Sequence, residues 1–370
     1  MTKPRPWFRL RAGDSLPRQG GGVFDRFFGA TILFVFLGGV ACRQTAPTPS
    51  ANASPTLAPP PYVLIGPQGA TAFARLADAV QPDRSNSSAP DQATRIAAGF
   101  GFLVTEERAV AGRRYVHLHD GRWLAREDIA AVSPSTFTGL QIPSDAPLNV
   151  AWIVGGPATP RVSPSPDAPP RPALPERTAV TLRGRCDDAL CETNRGWIAR
   201  ARLAIATTTP PPPSLDAARP DERWLDVDLT AQILVAYRRH RPVFATLISS
   251  GVGAPGSPFA TPIGTFRILA KHAIIKMDNL EHTDVVPYSY DVPFAQYFKD
   301  NKAFHATFWH DRFGRPSSHG CVNLSPQDAA WLFTFTTPTL DAAATSATAT
   351  TTHPGTLVRV RGDISRDSLP

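Results

Sequence analysis

The sequence predicts a mainly β protein, in which a C-terminal β-sandwich with one short helix follows a β-rich N-terminal region. Short runs rich in β-branched and aromatic residues recur along the chain. Proline, glycine and Asp-Gly turn signals separate these runs. The segment that starts at Ser325 carries the start signals of a helix. These three observations together indicate sheets rather than a helical bundle.

Proline tracts predict how the chain is divided. Its 370 residues leave room for two or three domains, each with its own core. The tract at 45–61 is typical of a tether and the one at 210–213 of a linker, whereas the tract at 157–175 would be a long loop of a small β-barrel. We predict a signal peptide at 1–41, a tether at 42–61, a β-rich region at 62–206, a linker at 207–222 and a C-terminal domain at 223–363.

The first 41 residues have the features of an export signal. A basic segment precedes an uncharged apolar stretch at 27–41, which is shorter than the roughly 20 residues of a membrane-spanning helix. The stretch ends in LGGVAC, which resembles a bacterial lipoprotein cleavage box, although Gly39 stands where leucine is usual. We expect lipidation of Cys42, which would anchor the exported protein to a membrane facing the periplasm or cell wall. Ordinary signal cleavage or an uncleaved anchor is the alternative.

The positive charge is concentrated in this leader. The formal net charge is +7, and residues 1–28 carry an excess of +4, which leaves +3 for the chain from Cys42 onward. A nearly neutral chain without clustered lysines and arginines gives little support for a nucleic-acid partner.

Cys186 and Cys191 lie between two strand-like runs, at 179–182 and 196–199. A disulfide that closes a hairpin would suit an oxidising envelope compartment, and two free thiols are the alternative. Two cysteines without a neighbouring histidine or a second pair make a poor zinc site. We therefore expect a disulfide and no metal.

The β-rich region contains an internal echo. Strands are predicted at 100–104 and 114–118, and an Asp-Gly turn then leads into a tryptophan-bearing strand. The phrase DGRWLAREDI at 120–129 is echoed by RGWIARARL at 195–203. The echo resembles two copies of an SH3-like ending, as found in bacterial cell-wall proteins. A β-rich spacer without a special role is the alternative.

From Trp224 onward the strand signals are clearer. Alternation over 225–249 predicts a β-meander, and the Pro-Ile-Gly turn at 262–264 precedes another strand. Residues 270–300 show no clean period and hold five aromatic side chains, which is compatible with a lid over a cleft or with a long surface loop that has its own small core. The helix after Ser325 would bury Ala329, Leu332 and Phe333 and brace the segment that precedes it.

That preceding segment, SHGCVN at 318–323, carries the chemistry. Cys321 is a candidate nucleophile, and because a thiol ordinarily has a pKa near 8.5, it needs a base or a cation nearby. His305 upstream is the expected base, and His319 is its competitor, since it lies two residues from the cysteine. Gly320 permits a tight backbone in which the amides of residues 319–321 could hold an oxyanion. Ser318 and Asn323 are candidate supporting hydrogen-bond groups, or else plain turn residues.

These landmarks, taken in order from Trp224 to Asp363, resemble the L,D-transpeptidase (YkuD-like) catalytic domain of bacterial envelopes. The resemblance rests on DVDL with the glutamine that follows it (226–232), TPIGTF (261–266), the histidine of AFHAT (303–307), SHGCVN (318–323) and a closing strand at 355–360. The order of base and nucleophile is the reverse of that in papain-like proteases, whose histidine follows the cysteine.

The resemblance implies a substrate and a mechanism. The nucleophile would be Cys321, acylated by a peptidoglycan stem tetrapeptide with release of D-alanine, and an amine would then accept the acyl group. His305 would move the protons, with the Ala306 carbonyl orienting its ring. No metal or other cofactor is expected. Water as acceptor would make the protein an L,D-carboxypeptidase; attachment of a protein to the wall, or a non-catalytic peptidoglycan-binding role, are further alternatives.

Overall fold

The computed structural model describes residues 61–80, 93–130, 132–215, 219, 222–280, 287–341 and 343–362. The predicted signal peptide, Cys42 and the tether as far as Pro60 lie outside the described residues. The described part is mainly β, as the sequence predicted. No helix in these ranges is long and apolar enough to cross a membrane.

The first unit, residues 61–130, is a small β-structure with its own core. Phe102, Leu118 and Leu124 are buried in that core. The predicted Asp-Gly turn is present: Gly121 adopts a φ of +89°, which glycine tolerates, and joins two antiparallel strands. The elements are β1 (Tyr62–Ile65), β2 (Ala70–Phe73), α1 (Leu76–Val80), β3 (Ala93–Ile96), β4 (Gly101–Val110), β5 (Arg113–Leu118), β6 (Trp123–Ala125) and β7 (Ile129–Ala130).

The second unit, residues 148–206, is a five-stranded sheet in the order β12-β11-β10-β9-β13. Cys186 and Cys191 are paired residues of the β10–β11 hairpin and form a disulfide. The proline-rich segment between β9 and β10 is an ordered excursion held by bridges such as Ala158 to Leu174. After the connecting strand β8 (Leu140–Gln141), the strands are β9 (Val150–Ile153), β10 (Ala179–Cys186), β11 (Leu190–Thr193), β12 (Gly196–Ala199) and β13 (Leu203–Ile205).

The echoed phrases adopt the same local structure in both units. In the first unit, a 3-10 turn at Arg126–Asp128 joins β6 to β7, and in the second a 3-10 turn at Arg200–Arg202 joins β12 to β13. A strand, a 3-10 turn and a strand thus recur at both places. The SH3-like interpretation of the two units stays a prediction.

The C-terminal unit is a sandwich of two sheets around one core. One sheet has the order β17-β23-β14-β15-β16-β8, with the last strand of the chain, β23, inserted parallel to β14. The other runs β21-β20-β19, continues to β18 and β22, and meets β4 of the first unit. The strands are β14 (Arg223–Asp228), β15 (Ile233–Arg238), β16 (Arg241–Leu247), β17 (Gly264–Arg267), β18 (Ala270–Asp278), β19 (Ser289–Lys299), β20 (Lys302–Ala306), β21 (Val322–Leu324), β22 (Ser346–Thr348) and β23 (Leu357–Arg361).

The described residues of 270–300 are not a surface loop, and that alternative is wrong for them. Residues 270–278 and 289–299 form the paired strands β18 and β19, from Ala270 with Tyr297 to Asp278 with Ser289. Nearly every residue of β19 is buried, so its sequence lacks the polar alternation of a half-exposed strand. This explains why no period was visible.

The helix α2 (Pro326–Phe335) starts where the sequence predicted. The Ser325 hydroxyl accepts a hydrogen bond from the Asp328 N–H (3.1 Å), and Ala329, Leu332 and Phe333 are buried. The buried Asp328 carboxylate in turn accepts hydrogen bonds from the Thr246 hydroxyl (2.5 Å) and from the Gly139 N–H (2.9 Å). The helix start is therefore tied to the facing sheet.

The first and second units both contact the C-terminal unit. The Leu103 N–H donates to the buried Asp291 carboxylate (3.1 Å), and the Tyr62 ring stacks on Phe308 at 4.6 Å. From the second unit, Arg177 donates to the carboxylate (2.8 Å) and the carbonyl (2.9 Å) of Asp311. Both contacts reach residues that border the site described below.

A buried carboxylate holds the closing strand. Asp226 on β14 is 1% exposed and accepts hydrogen bonds from Arg359 (2.6 Å) and Arg361 (2.9 Å) on β23. We expect Asp226→Asn to lower the free energy of unfolding by about 2 kcal/mol, because it removes the counter-charge of the partly buried Arg359 and one of the two carboxylates that pair with Arg361. Urea denaturation of the purified protein measures this loss. Asp300→Asn, which removes an exposed partner of Lys299, is the control and should change stability by less than about 0.5 kcal/mol; equal losses in both variants would contradict the argument.

Candidate active site

Parallel pairing of β20 with β21 brings the candidate residues together. Phe304 pairs with Val322, and His305 pairs with Asn323. Cys321 immediately precedes β21, so the thiol lies near the strand that carries His305. Two segments separated by a 15-residue connection (307–321) thus present their polar side chains at one sheet edge. Both Cys321 (6% exposed) and His305 (4%) are buried.

The surroundings of the Cys321 thiol favour its neutral form. Burial raises its pKa, while a backbone hydrogen bond from Ala303 and the charge of Lys302 act in the opposite direction. The thiol points toward the Asn301 carbonyl oxygen, with a sulfur–oxygen distance of 3.7 Å. A buried thiol of this kind needs a base to become a nucleophile.

The His305 ring is oriented and neutral. Its Nδ1 lies 3.0 Å from the Ala306 carbonyl oxygen, which can only accept, so Nδ1 carries the proton and Nε2 keeps its lone pair. Burial lowers the pKa of His305 to about 4, although the hydrogen bond to Ala306 opposes the shift. The contact expected of the Ala306 carbonyl is present. An unprotonated Nε2 has what a general base requires.

Lys302 is a charged neighbour that sequence reasoning missed. Its ammonium donates to the carbonyl oxygens of Pro258 (2.8 Å) and His319 (3.0 Å). Burial lowers its pKa, and the nearby Cys321 raises it. A lone lysine three residues before His305 offered no distinguishing signal, because only the fold brings it beside the turn at 318–321. Its positive charge favours a thiolate at Cys321.

His319, the competing base, lies at the rim of the site. Its exposed side chain stacks on Tyr288, with ring centroids 5.7 Å apart, and lies near the Phe259 ring. Burial of the ring, and secondarily the charge of Lys302, lower its pKa. This placement favours shaping of the cavity over proton transfer to and from Cys321.

Gly320 occupies a position that no side chain fits. Its φ of +109° is in the region glycine tolerates, and a Cβ would meet the Lys302 ammonium at 2.6 Å and the Ala260 carbonyl oxygen at 2.8 Å. Thr261 supports the same turn, since its hydroxyl donates to the Gly320 carbonyl (3.0 Å) and accepts from the Gly251 N–H (2.9 Å). The threonine of the TPIGTF landmark therefore acts on the nucleophile turn.

Ser318 closes the turn from inside. Its hydroxyl donates to the Cys321 carbonyl (2.6 Å) and accepts from the Gly320 N–H (3.0 Å). The expectation that three amides converge on an oxyanion is corrected here, because the Gly320 N–H is used within the turn. The amides of His319 and Cys321 remain as candidate donors.

Asn323 contacts a second histidine, His310. The amide nitrogen of Asn323 is placed 3.0 Å from Nε2 of His310, while its buried Oδ1 has no partner. The Arg312 N–H donates to Nδ1 of His310 (3.2 Å), and because burial lowers the His310 pKa to about 4, the neutral ring carries its proton on Nε2. The amide nitrogen and oxygen of an asparagine cannot be distinguished by shape. Because Nε2 of His310 carries a proton, it needs an acceptor, and this assigns Oδ1 of Asn323 as the atom that faces His310.

These groups border a cavity of about 370 Å³. Aromatic side chains form much of its wall: Tyr290 and Trp309 stack with their ring centroids 4.1 Å apart, and Tyr288 lies beside them. Ala98 and Gly99 of the first unit complete one side. Of the five aromatic residues of 270–300, Tyr288 and Tyr290 thus line the cavity, whereas Phe294 and Phe298 are buried in the core. His310 is also a wall residue.

A metal centre has no support in the described ranges. No group of three or more histidine, cysteine, aspartate or glutamate side chains there could hold a metal ion.

Comparisons with known proteins agree with the family recognised from sequence. Residues 222–360 match the family model of the L,D-transpeptidase catalytic domain, YkuD, which confirms the resemblance for that part of the chain. No curated protein matches the chain.

Solved structures that are similar include three L,D-transpeptidases. One from Stackebrandtia nassauensis is 23% identical, with 40% of this chain and 62% of that chain covered and a TM-score of 0.26. A mutant from Enterococcus faecium is 20% identical, with 38% and 50% covered and a TM-score of 0.29. L,D-transpeptidase 1 of Mycobacterium tuberculosis is 24% identical, with 38% and 60% covered and a TM-score of 0.27. The chain spans less than two thirds of each of these proteins.

The depressed pKa of His305 has a consequence for stability. In the unfolded chain the ring has its ordinary pKa near 6.5, and folding lowers it to about 4, so between these values the unfolded chain binds a proton that the folded protein does not. We expect the free energy of unfolding to fall as the pH decreases from 6.5 to 4, by at most about 1.4 kcal/mol per pH unit from this group. Urea denaturation at a series of pH values should give a smaller slope for His305→Gln than for the wild type. His353→Gln, at an exposed position, is the control; an unchanged slope in His305→Gln would refute the assignment.

Proposed function

We propose that the C-terminal unit is a peptidoglycan L,D-transpeptidase that acts through a thioester on Cys321. The observation that carries this proposal is the pairing of β20 with β21, which places a neutral, oriented His305 and a buried thiol on neighbouring segments of one cavity. The match of residues 222–360 to the family's catalytic domain supports stem peptides as the substrate class.

Acylation would begin with the proton of the thiol. The Cys321 S–H rotates away from the Asn301 carbonyl and transfers its proton to Nε2 of His305, while the Lys302 ammonium favours the thiolate. The sulfur attacks the carbonyl between the L-centred residue and the terminal D-alanine of a stem tetrapeptide. As the tetrahedral intermediate collapses, the C–N bond breaks, and His305 returns the proton to the D-alanine amine.

The oxyanion of that intermediate needs donors at the turn. The amides of His319 and Cys321 are the candidates, since Ser318 already accepts from the Gly320 N–H. Backbone donors held by a rigid turn do not reorganise during the reaction, and each is typically worth about 2.7–4 kcal/mol of transition-state stabilisation. Thr261 and Ser318 contribute by holding this turn in place.

The second half-reaction transfers the acyl group. An amine, such as the side chain of a diamino acid on a neighbouring stem, loses a proton to His305 and attacks the thioester. A C–N bond forms, the C–S bond breaks, and the Cys321 sulfur recovers its proton. Water as acceptor would give an L,D-carboxypeptidase. A lysine amine of another protein as acceptor would attach that protein to the wall, and acylation of Cys321 by such a linked stem, followed by hydrolysis of the thioester, would detach it. A non-catalytic wall-binding role would not explain why His305 is oriented as a base beside the buried thiol of Cys321.

The location of the protein is part of the proposal. A cell-wall substrate requires export, and the leader at 1–41 with the cleavage box that ends at Cys42 supports a lipid anchor on a membrane that faces the periplasm or cell wall. We expect globomycin-sensitive processing and fatty-acid labelling of the full chain in bacteria, and their loss in Cys42→Ala. Labelling that persists in Cys42→Ala would exclude this anchor, and processing insensitive to globomycin would favour ordinary signal cleavage.

Acylation of Cys321 is directly measurable by intact-mass spectrometry. We expect the protein, incubated with a disaccharide tetrapeptide, to gain the mass of the acyl group and release D-alanine, and expect Cys321→Ala to do neither. A carbapenem is a second acylating probe. If the wild type forms no adduct and releases no D-alanine, the transpeptidase proposal fails.

Two histidine variants provide a matched comparison in the same assay. His305→Gln should slow adduct formation by about 10²- to 10⁴-fold, the usual contribution of a positioned general base, whereas His319→Gln at the rim should slow it less than about tenfold. The opposite order would assign the base to His319.

A further inference from the structure

A second cavity, of about 730 Å³, lies where the three units meet. Its walls come from the first unit (Leu64), from the segment at 132–137, from the second unit (residues 176–178) and from the segment at 308–311 of the C-terminal unit. Its volume falls within the roughly 300–1,000 Å³ of typical small-molecule sites. The family match begins at residue 222, so much of this cavity is built outside the matched domain.

The two cavities share a wall. Trp309 and His310 line both the Cys321 cavity and the second cavity. Trp309 lies 6.1 Å from His305, measured between ring centroids. A ligand in the second cavity would therefore be separated from the base and the thioester by the thickness of one or two side chains.

The lining of the second cavity combines charged and hydroxyl groups with apolar side chains. Glu176 and Asp311 are acidic, Arg177 is basic, and Ser133, Thr136 and Thr178 add hydroxyl groups, while the apolar side chains include Phe137 and Phe308. The Glu176 carboxylate contacts the Gly156 N–H (3.3 Å) and lies 3.8 Å from the Arg177 guanidinium, so its pairing is loose. A lining of this kind suits a peptide that bears both an amine and carboxylates.

Arg177 shows that the junction is held under strain. Its φ is +65°, a left-handed conformation that non-glycine residues adopt at a cost of roughly 1–2 kcal/mol. Its backbone N–H donates to the Ile153 carbonyl (2.7 Å). Its guanidinium donates to the carboxylate of Asp311, which follows His310 in the chain. Strain of this kind is typical of functional positions, and here it fixes the segment that divides the two cavities.

We propose that the second cavity binds the acceptor of the transferase reaction, an amine-bearing stem peptide, and delivers its amine past Trp309 and His310 to the thioester. The proposal rests on the proposed function, because only a transferase needs a second substrate. The amine attacks the thioester carbonyl and gives its proton to His305, the C–N bond forms as the C–S bond breaks, and His305 returns the proton to the sulfur.

The test separates the two half-reactions in the full-length protein. Thr136→Trp places a large side chain at an exposed position of the cavity, and Glu176→Gln removes one acidic group while keeping a hydrogen-bond acceptor. Ala173→Trp, an exposed position of the second unit outside the lining, is the matched control. The donor is a disaccharide tetrapeptide, and the acceptor probe is a stem tripeptide that ends in a diamino acid.

We expect all three variants to acylate at the wild-type rate, within about twofold. Transfer to the tripeptide should fall at least tenfold in Thr136→Trp, and the acceptor KM should rise about three- to tenfold in Glu176→Gln, while Ala173→Trp behaves as wild type. Unchanged transfer in Thr136→Trp and Glu176→Gln would overturn the proposal. Acylation that falls as much as transfer would also overturn it, because the cavity would then serve the donor.

A binding measurement keeps the proposal independent of turnover. Titration calorimetry of the tripeptide into the wild type and the three variants should show binding that Thr136→Trp abolishes and Ala173→Trp preserves. Absence of an acyl adduct in the wild type would count against the transpeptidase proposal alone. Absence of tripeptide binding to an enzyme that does acylate would count against the acceptor site alone.

Discussion

The parallel pairing of β20 with β21 is the constraint on which the candidate site depends. It fixes His305 opposite Asn323 and places Cys321 directly before β21, after the turn formed by Ser318, His319 and Gly320. The turn in turn depends on Gly320, whose conformation and close neighbours exclude a side chain. Helix α2, capped by Ser325 and tied through Asp328 to the facing sheet, holds β21 from the other side. The elements that hold the candidate site in place are thus the same elements that form the core.

Burial dominates the electrostatics of this site. It raises the pKa of the Cys321 thiol and lowers the pKa values of His305 and Lys302, so each group is shifted toward its neutral form. Burial therefore disfavours an ion pair of thiolate and imidazolium. The hydrogen bond from His305 to Ala306 leaves Nε2 of the neutral ring with its lone pair.

The segment at 307–313 connects this chemistry to the rest of the molecule. Tyr62 of the first unit stacks on Phe308, Arg177 of the second unit binds Asp311, and His310 between them contacts Asn323 on the nucleophile strand. The first unit therefore supplies part of the wall of the Cys321 cavity, and the second unit supplies part of the wall of the second cavity. A catalytic unit taken alone would lack Ala98, Gly99 and most of the second cavity.

The sequence by itself determined the fold class, the resemblance of residues 224–363 to one family, the helix at Ser325 and the candidate base and nucleophile, because these depend on local spacing, caps and turn glycines. The tertiary structure alone decided which groups meet. Lys302 and Thr261 act on the turn from distant segments, and His310 joins the site through a contact with Asn323 that no local pattern encodes. The hairpin at 270–300 was hidden because a strand buried on both faces loses its alternation. Burial itself, which sets the protonation of Cys321 and His305, is a property of the packed molecule and of no single segment.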